Sequence, residues 1–255
     1  MSEENEVTEE ENVTLAPGLS MALYPSESEE PVRRRGPDPL AGLRMWEPRT
    51  RLGRMVREGK ILTYEEALET GYPIREVEVV DALLPDLTDD VLGVNMIQRM
   101  TDSGRRVRFN VLCVVGNGDG YVGLAVCKGK EVSSTIKKAI DSAKLNLIPV
   151  MRGNGSWESS EGPGNSVPFK VTGRSGSTRI TLLPAPSGKG LVIGDYGRRV
   201  LTLAGITDVW SRSKGQTRST INFAKATFNA LEELNKTRIH DSDRDRLHMK
   251  SGREL

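Results

Sequence analysis

The chain has 255 residues, enough for two small domains and tails, and its formal net charge of +1 hides an uneven distribution. Nine glutamates from Glu3 to Glu30 precede the first basic residue, Arg33; setting them aside leaves 36 basic residues against 26 acidic ones, a basic body suited to a polyanionic partner. Two cysteines, no apolar run of about 18 residues and an acidic start argue against a disulfide framework, a membrane-spanning helix and a secretory signal, so a soluble, cytoplasmic protein is expected.

Residues 1–45 are rich in Glu, Ser and Pro and carry too little apolar surface to offset ordering entropy, which predicts a disordered acidic tail. Its end, Pro31-Val-Arg-Arg-Arg-Gly-Pro37, switches sign abruptly and reads equally as linker or as a basic arm. Residues 46–86 read as a helical extension. One helix is expected from Arg49 to Glu58, stopped by Gly59. A second is capped by Thr63 with Glu66 three residues on, and is stopped by Gly71 and Pro73. Val77 to Leu84 is apolar and reads as extended.

The stretch from Arg99 to Lys130 reads as three strands broken by two turns, Thr101-Asp-Ser-Gly104 and Gly116-Asn-Gly-Asp-Gly120. Val107, Phe109, Val111, Cys113 and Val115 alternate with Arg106, Arg108 and Asn110, the pattern of a half-buried strand. Arg99, Arg105, Arg106 and Arg108 crowd the first turn, and Lys128 and Lys130 close the third strand. Then the period changes: Val132, Ile136, Ala139, Ile140, Ala143 and Leu147 form one stripe of a helix that ends at Pro149. Lys130, Lys137 and Lys144 share another stripe, joined by Lys138.

A glycine-rich linker loop is expected over 151–165, and a second α/β domain over 166–235. Strands at Val167–Val171 and Arg179–Leu183 flank a hairpin signal, Gly173-Arg-Ser-Gly176. A helix is expected from Ile193 to Ala204, a short extended piece from Ile206 to Trp210, and a helix capped by Thr220 with Ile221, Ala224, Phe228 and Leu231 on one face. Residues 236–255 read as a charged, solvated tail.

None of these residues builds a catalytic centre. Gly118-Asp-Gly120-Tyr-Val-Gly123 matches the dinucleotide pattern, but a strand rather than the required helix follows it. Ser187-Gly-Lys-Gly lacks the remaining residues of a phosphate-binding loop. His240 and His248, with Asp241, Asp243 and Asp245, lie in the charged tail. No cofactor, metal or enzymatic activity is expected. Cations around a glycine-containing turn, with a lysine-lined helix behind the sheet, match the way double-stranded-RNA modules place charge on phosphates and 2′-hydroxyls. The RNA-binding set expected on these grounds is Arg99, Thr101, Ser103, Gly104, Arg105, Arg106, Arg108, Asn117, Gly118, Gly120, Lys128, Lys130, Lys137 and Lys138.

Asn95-Met-Ile-Gln-Arg-Met-Thr-Asp-Ser-Gly-Arg-Arg-Val-Arg-Phe109, followed by Val114-Val-Gly-Asn-Gly-Asp-Gly-Tyr-Val-Gly123, resembles small-subunit ribosomal protein S-five of the archaeal and eukaryotic type. Lys130 through Ala139, Pro184-Ala-Pro-Ser-Gly-Lys-Gly-Leu191 and Gly215 to Phe228 agree in order, so the likeness runs over about residues 75–234. The resemblance implies an α+β protein of two small α/β domains. The N-terminal one, at 87–150, would be double-stranded-RNA-binding-like, with a three-stranded antiparallel sheet packed on a helix; the C-terminal one would be an S-five-type α/β sandwich. It further implies a structural constituent of the small ribosomal subunit that binds small-subunit rRNA and ribosomal proteins S-four and S-eight. Its place would be near the mRNA entry path, with roles in subunit assembly and translational accuracy and with the Thr101–Arg106 loop reaching into RNA. The alternative is a free double-stranded-RNA-binding regulator outside the ribosome. Many archaeal relatives carry cysteines and a histidine where this chain has Asn154, Ser159, Glu161 and Asn165, so no metal is carried over to that loop. The acidic tail has no counterpart in the family.

Overall fold

The computed structural model describes residues 46–158 and 164–252; the acidic tail, its basic end, Ser159 and Glu161 lie outside them. Three short helices come first among the described residues: α1 (Arg51–Arg57), α2 (Tyr64–Glu69) and α3 (Val77–Leu83). The expected capping box starts α2, with the Thr63 hydroxyl accepting from Glu66 N and the Glu66 carboxylate accepting from Thr63 N. Glu76, ahead of α3, holds the entry to α1: its carboxylate accepts from Arg49 N at 2.8 Å, Thr50 N at 2.7 Å and Trp46 Nε1 at 3.2 Å. The segment expected to be extended, Val77 to Leu84, is helical over Val77–Leu83, with Leu84 at the cap. Val80, Leu83 and Leu84 recur at helical spacing, and burying Val79 and Val80 against neighbouring helices overrides the strand preference of three valines.

Two long strands follow, β1 (Thr88–Thr101) and β2 (Gly104–Gly116), then β3 (Tyr121–Gly129), helix α4 (Val132–Leu145) and a short β4 (Leu147–Pro149). The sheet is antiparallel in the order β1-β2-β3-β4. It has four strands where three were expected. Leu147 and Pro149 end the helical period, and their backbone pairs with Gly123 and Tyr121. Lys144, in the last turn of α4, forms a 2.6 Å ion pair with Asp81 of α3 and ties the extension to this domain.

Strand β5 (Met151–Arg152) precedes the second sheet: β6 (Val171–Ser175), β7 (Thr178–Pro184), β8 (Leu191–Val192) and β9 (Val209–Lys214), in the order β6-β7-β9-β8. Helices α5 (Asp195–Leu203) and α6 (Thr220–Lys236) belong to the same domain. The first strand begins at Val171 rather than ending there, because Pro168 and the bridge from Gly153 to Ser166 occupy the preceding backbone. Thr220 is the first helical residue of α6 and Ser219 stands at the cap.

The described residues form one compact unit, built in layers. Helix α4 covers one face of the first sheet through Val111, Cys113, Val115, Ala139 and Ala143. The other face, through Leu112, Val114, Val122 and Leu124, shares a core with Val200 and Leu201 of α5 and Phe223 and Leu231 of α6. Those helices lie in turn on Ile180, Leu182 and Val209 of the second sheet.

The expected C-terminal tail is partly ordered. It carries α7 (Asp241–Arg246) and β10 (Lys250–Ser251), and β10 pairs with β5. The pairing runs through backbone, which charge composition does not report.

Candidate nucleic-acid interface

Alternation along β1 and β2 decides which cations meet. Residues opposite each other in an antiparallel ladder share a face, and Arg99 lies opposite Arg106, Ile97 opposite Arg108, and Asn110 opposite Lys128. Arg99, Arg106, Arg108 and Lys128 therefore stand on one face of the outer end of the sheet. They line a groove of about 540 Å³ with Ile97, Met100, Thr101 and Asp102. All four are exposed, and none enters an ion pair among the described residues. Like charges directly opposite repel, so Arg99 against Arg106 costs stability that an anion in the groove would return.

The turn between the strands is tight. Thr101 pairs with Gly104, whose φ of +113° suits glycine, and the Thr101 hydroxyl donates to Gly104 O at 2.9 Å. Ser103 is exposed, 3.4 Å from the Thr101 hydroxyl. The opposite face of the same end carries Arg105 opposite Met100, beside Met96 and Val107. Met100 is 71% exposed and Met96 59%, so the reverse side of the tip mixes exposed methionines with the Arg105 cation.

Asn110 marks the base of the cationic face, and its alternation with Arg106 and Arg108 was the signal for it. It is 7% exposed, and its Oδ1 has no hydrogen-bond partner. A buried amide oxygen left unpaired is a standing cost, held here beneath the cationic face.

The other expected residues lie elsewhere. Lys137 and Lys138 are exposed on α4, which packs on the reverse face of the sheet, and Lys130 precedes that helix. Asn117, Gly118 and Gly120 lie just past the far end of β2, whose last residue, Gly116, is twelve residues from Gly104, about 40 Å along a strand. There the turn is plugged into the second domain. Gly118 N donates to Leu203 O at 2.9 Å and Gly120 N to Ala204 O at 3.2 Å, at the end of α5. The Asn117 side chain is spent on the turn itself, its Oδ1 accepting from Asp119 N at 2.8 Å and Tyr121 N at 3.0 Å. A Cβ on Gly120 would lie 2.2 Å from Gly252 O. The glycines here allow close approach of protein backbone to protein backbone, where the sequence reading expected approach to RNA.

Arg152, read from sequence only as part of a linker, completes this junction. Its guanidinium sits 2.6 Å from the Asp119 carboxylate and donates to Gly252 O at 3.2 Å. No motif flags it, because its partners Asp119 and Gly252 are 33 and 100 positions away in the chain.

Among the described residues no group of three or more His, Cys, Asp or Glu could hold a metal ion, and no helix is long and apolar enough to cross a membrane. The pattern Gly118–Gly123 leads into strand β3, which lacks the helix N-terminus a dinucleotide phosphate would need.

Residues 87–151 match the family model described as ribosomal protein S5, N-terminal domain, and residues 173–244 match that of ribosomal protein S5, C-terminal domain. The chain is 55% identical over 198 residues to small ribosomal subunit protein uS5 of Methanothermobacter thermautotrophicus, covering 78% of this chain and 92% of the relative. It is 58% identical over 194 residues to uS5 of Methanospirillum hungatei (76% and 95% covered) and 53% identical over 200 residues to uS5 of Halobacterium salinarum (78% and 94%). With two ordered domain matches and near-complete coverage of these relatives, the chain belongs to the ribosomal protein S5 family, a family of ribosomal structural proteins and not of enzymes.

Proposed function

We propose that this chain is a structural constituent of the small ribosomal subunit in the cytoplasm, and that it grips small-subunit rRNA with the outer end of the β1–β2 hairpin. The observation that carries the reading is the unpaired quartet Arg99, Arg106, Arg108 and Lys128 on one face of a rigid hairpin. Phosphate contacts from the quartet would set register on the RNA. Arg105, Thr101, Ser103 and Gly104 complete the tip. Lys130, Lys137 and Lys138 on the helical side would meet a different RNA segment. The family likeness further suggests ribosomal proteins S-four and S-eight as neighbours, a position near the mRNA entry path, and contributions to assembly and decoding accuracy.

Two measurements test this. The double variant Arg106→Ala/Arg108→Ala should lower the salt slope of rRNA binding by about two units, since each phosphate contact contributes about 0.9. An unchanged slope would remove the groove from the contact set. In sucrose gradients the parent chain should co-migrate with small subunits through a high-salt wash. Migration at the top of the gradient would favour a regulator acting outside the ribosome.

A further inference from the structure

The two sheets are covered unequally. Helix α4 closes the first sheet on one side and α5 with α6 close it on the other, but the second sheet has α6 on one face only. Its outward face is read directly from the strand register. Arg174 lies opposite Arg179, which lies opposite Lys214, so one row of three cations crosses three strands. The next row is Thr172, Thr181 and Arg212, with the two threonine hydroxyls 3.0 Å apart. The third is Leu183, Trp210 and Val192, where Trp210 is 38% exposed and Val192 54%.

Two features set this face apart from an ordinary solvated one. Strands β6, β7, β8 and β9 contain no acidic residue, and none of the four cations enters an ion pair among the described residues. Three like charges aligned across neighbouring strands repel, a standing cost that a line of anions removes. Arg174 is also held in place, its Nε donating to Gly176 O at 3.0 Å, which leaves both terminal nitrogens outward. The exposed indole stands on the same face, two residues (about 7 Å) along β9 from Arg212.

We propose that this outer sheet face is a second RNA site, separate from the hairpin groove, that takes a single-stranded segment. The backbone phosphates run along the Arg174–Arg179–Lys214 row and Arg212, and a base stacks on Trp210. A duplex hides its base faces and would leave the indole without a partner, whereas an unpaired strand offers both phosphate and ring. The proposal shares its partner class with the hairpin reading but none of its residues.

The test uses the full chain, a labelled unstructured oligouridine and a labelled blunt RNA duplex, followed by fluorescence anisotropy across a salt series. Arg174→Ala/Arg179→Ala/Lys214→Ala should lower the oligouridine salt slope by about two units, at roughly 0.7 per single-strand contact. Trp210→Ala should weaken oligouridine about tenfold, and Trp210→Phe should retain binding. The three cations are exposed and repel one another, so their removal should not lower the unfolding temperature, and Trp210→Phe keeps a ring in place of the partly covered indole. Duplex binding should respond to Arg106→Ala/Arg108→Ala and not to the sheet variants. If the sheet variants bind oligouridine like the parent, this face is not an RNA site and a protein neighbour is its better occupant, while the hairpin reading stands on its own duplex result. If Trp210→Ala is silent while the cation variant is not, the stacking contact is overturned.

Discussion

At the Gly104 end of β2, every residue from Arg105 to Arg108 is exposed, whereas at the Gly116 end six consecutive residues, Val111 to Gly116, are buried. The same strand serves both. Toward the first turn the neighbours run out: α4 and α5 stop covering the sheet, and the polar face becomes the groove of Arg99, Arg106, Arg108 and Lys128. Toward the second turn both faces meet helices, and the backbone of Asn117–Gly120 locks onto α5 and Gly252. A projecting arm needs an anchored root, because cations placed on a loose strand lose ordering entropy when they bind. In the proposed reading the glycine turn would therefore serve RNA binding indirectly, by fixing the root of the strand whose other end carries the groove.

Damage at the root should be large and should leave the arm's electrostatics alone. Gly120 has φ +92°, and a Cβ there would strike Gly252 O. Gly120→Ala should cost about 4 kcal/mol, combining backbone strain with overpacking against main chain that cannot give way. Chemical denaturation would read this as a lower midpoint at unchanged m, while the rRNA salt slope of the remaining folded protein stays that of the parent. A changed slope with unchanged stability would reverse the assignment of the two ends.

The ion pair beside the turn gives a smaller effect with a local signature. The Arg152 side chain is 10% exposed and Asp119 38%, so the pair is buried on one side and solvated on the other. Arg152→Met should cost about 2 kcal/mol, below the range for a fully buried pair because water partly screens the orphaned Asp119. Losing the bond to Gly252 O should also loosen β10, so amide exchange at Lys250 and Ser251 should quicken before the rest of the molecule changes. Unaltered exchange there would show that the C-terminal strand is held by its β5 pairing alone.

The strand period, the turn glycines and the stripe of α4 are local signals, and they were legible as residues: Val107 to Val115 alternates, and Val132 to Ala143 recurs at helical spacing. The arginine groove was legible for the same reason, since one two-residue turn brings Arg99 and Arg106 together. What stayed hidden depends on partners remote in sequence. Asn117 and Gly120 look the same whether they face phosphate or α5, and only the packing of the second domain decides. Val77–Leu83 carries strand-forming valines and folds as a helix because the neighbouring helices bury it. In the second sheet a two-residue turn likewise brings Arg174 and Arg179 together, but Lys214 joins them from 35 residues further along, so no single stretch of sequence displays the whole row.

Alkaline pH offers the mildest contrast, because the anchored half of the molecule holds two buried acids. Burial, with smaller contributions from Asp89 and Asp90, pushes the Cys113 thiol from 9.0 up to about 12. Burial, followed by the charge of Tyr121, pushes the Tyr64 phenol from 10.0 up to about 12. Each group ionises sooner in the unfolded chain than in the folded one, so above pH 9 the folded state keeps protons that the unfolded state releases. Stability is therefore fully present below pH 9 and is lost progressively as pH climbs toward 12. Urea midpoints should be flat in this respect from pH 7 to 8.5 and fall between about 9.5 and 11.5. Cys113→Ala removes the thiol that titrates first, so the onset should move up toward the unfolded tyrosine value near 10. Were the onset unmoved, the thiol would be ionising equally in both states, and the root of the hairpin would be wetter than the 0% exposure of Cys113 implies.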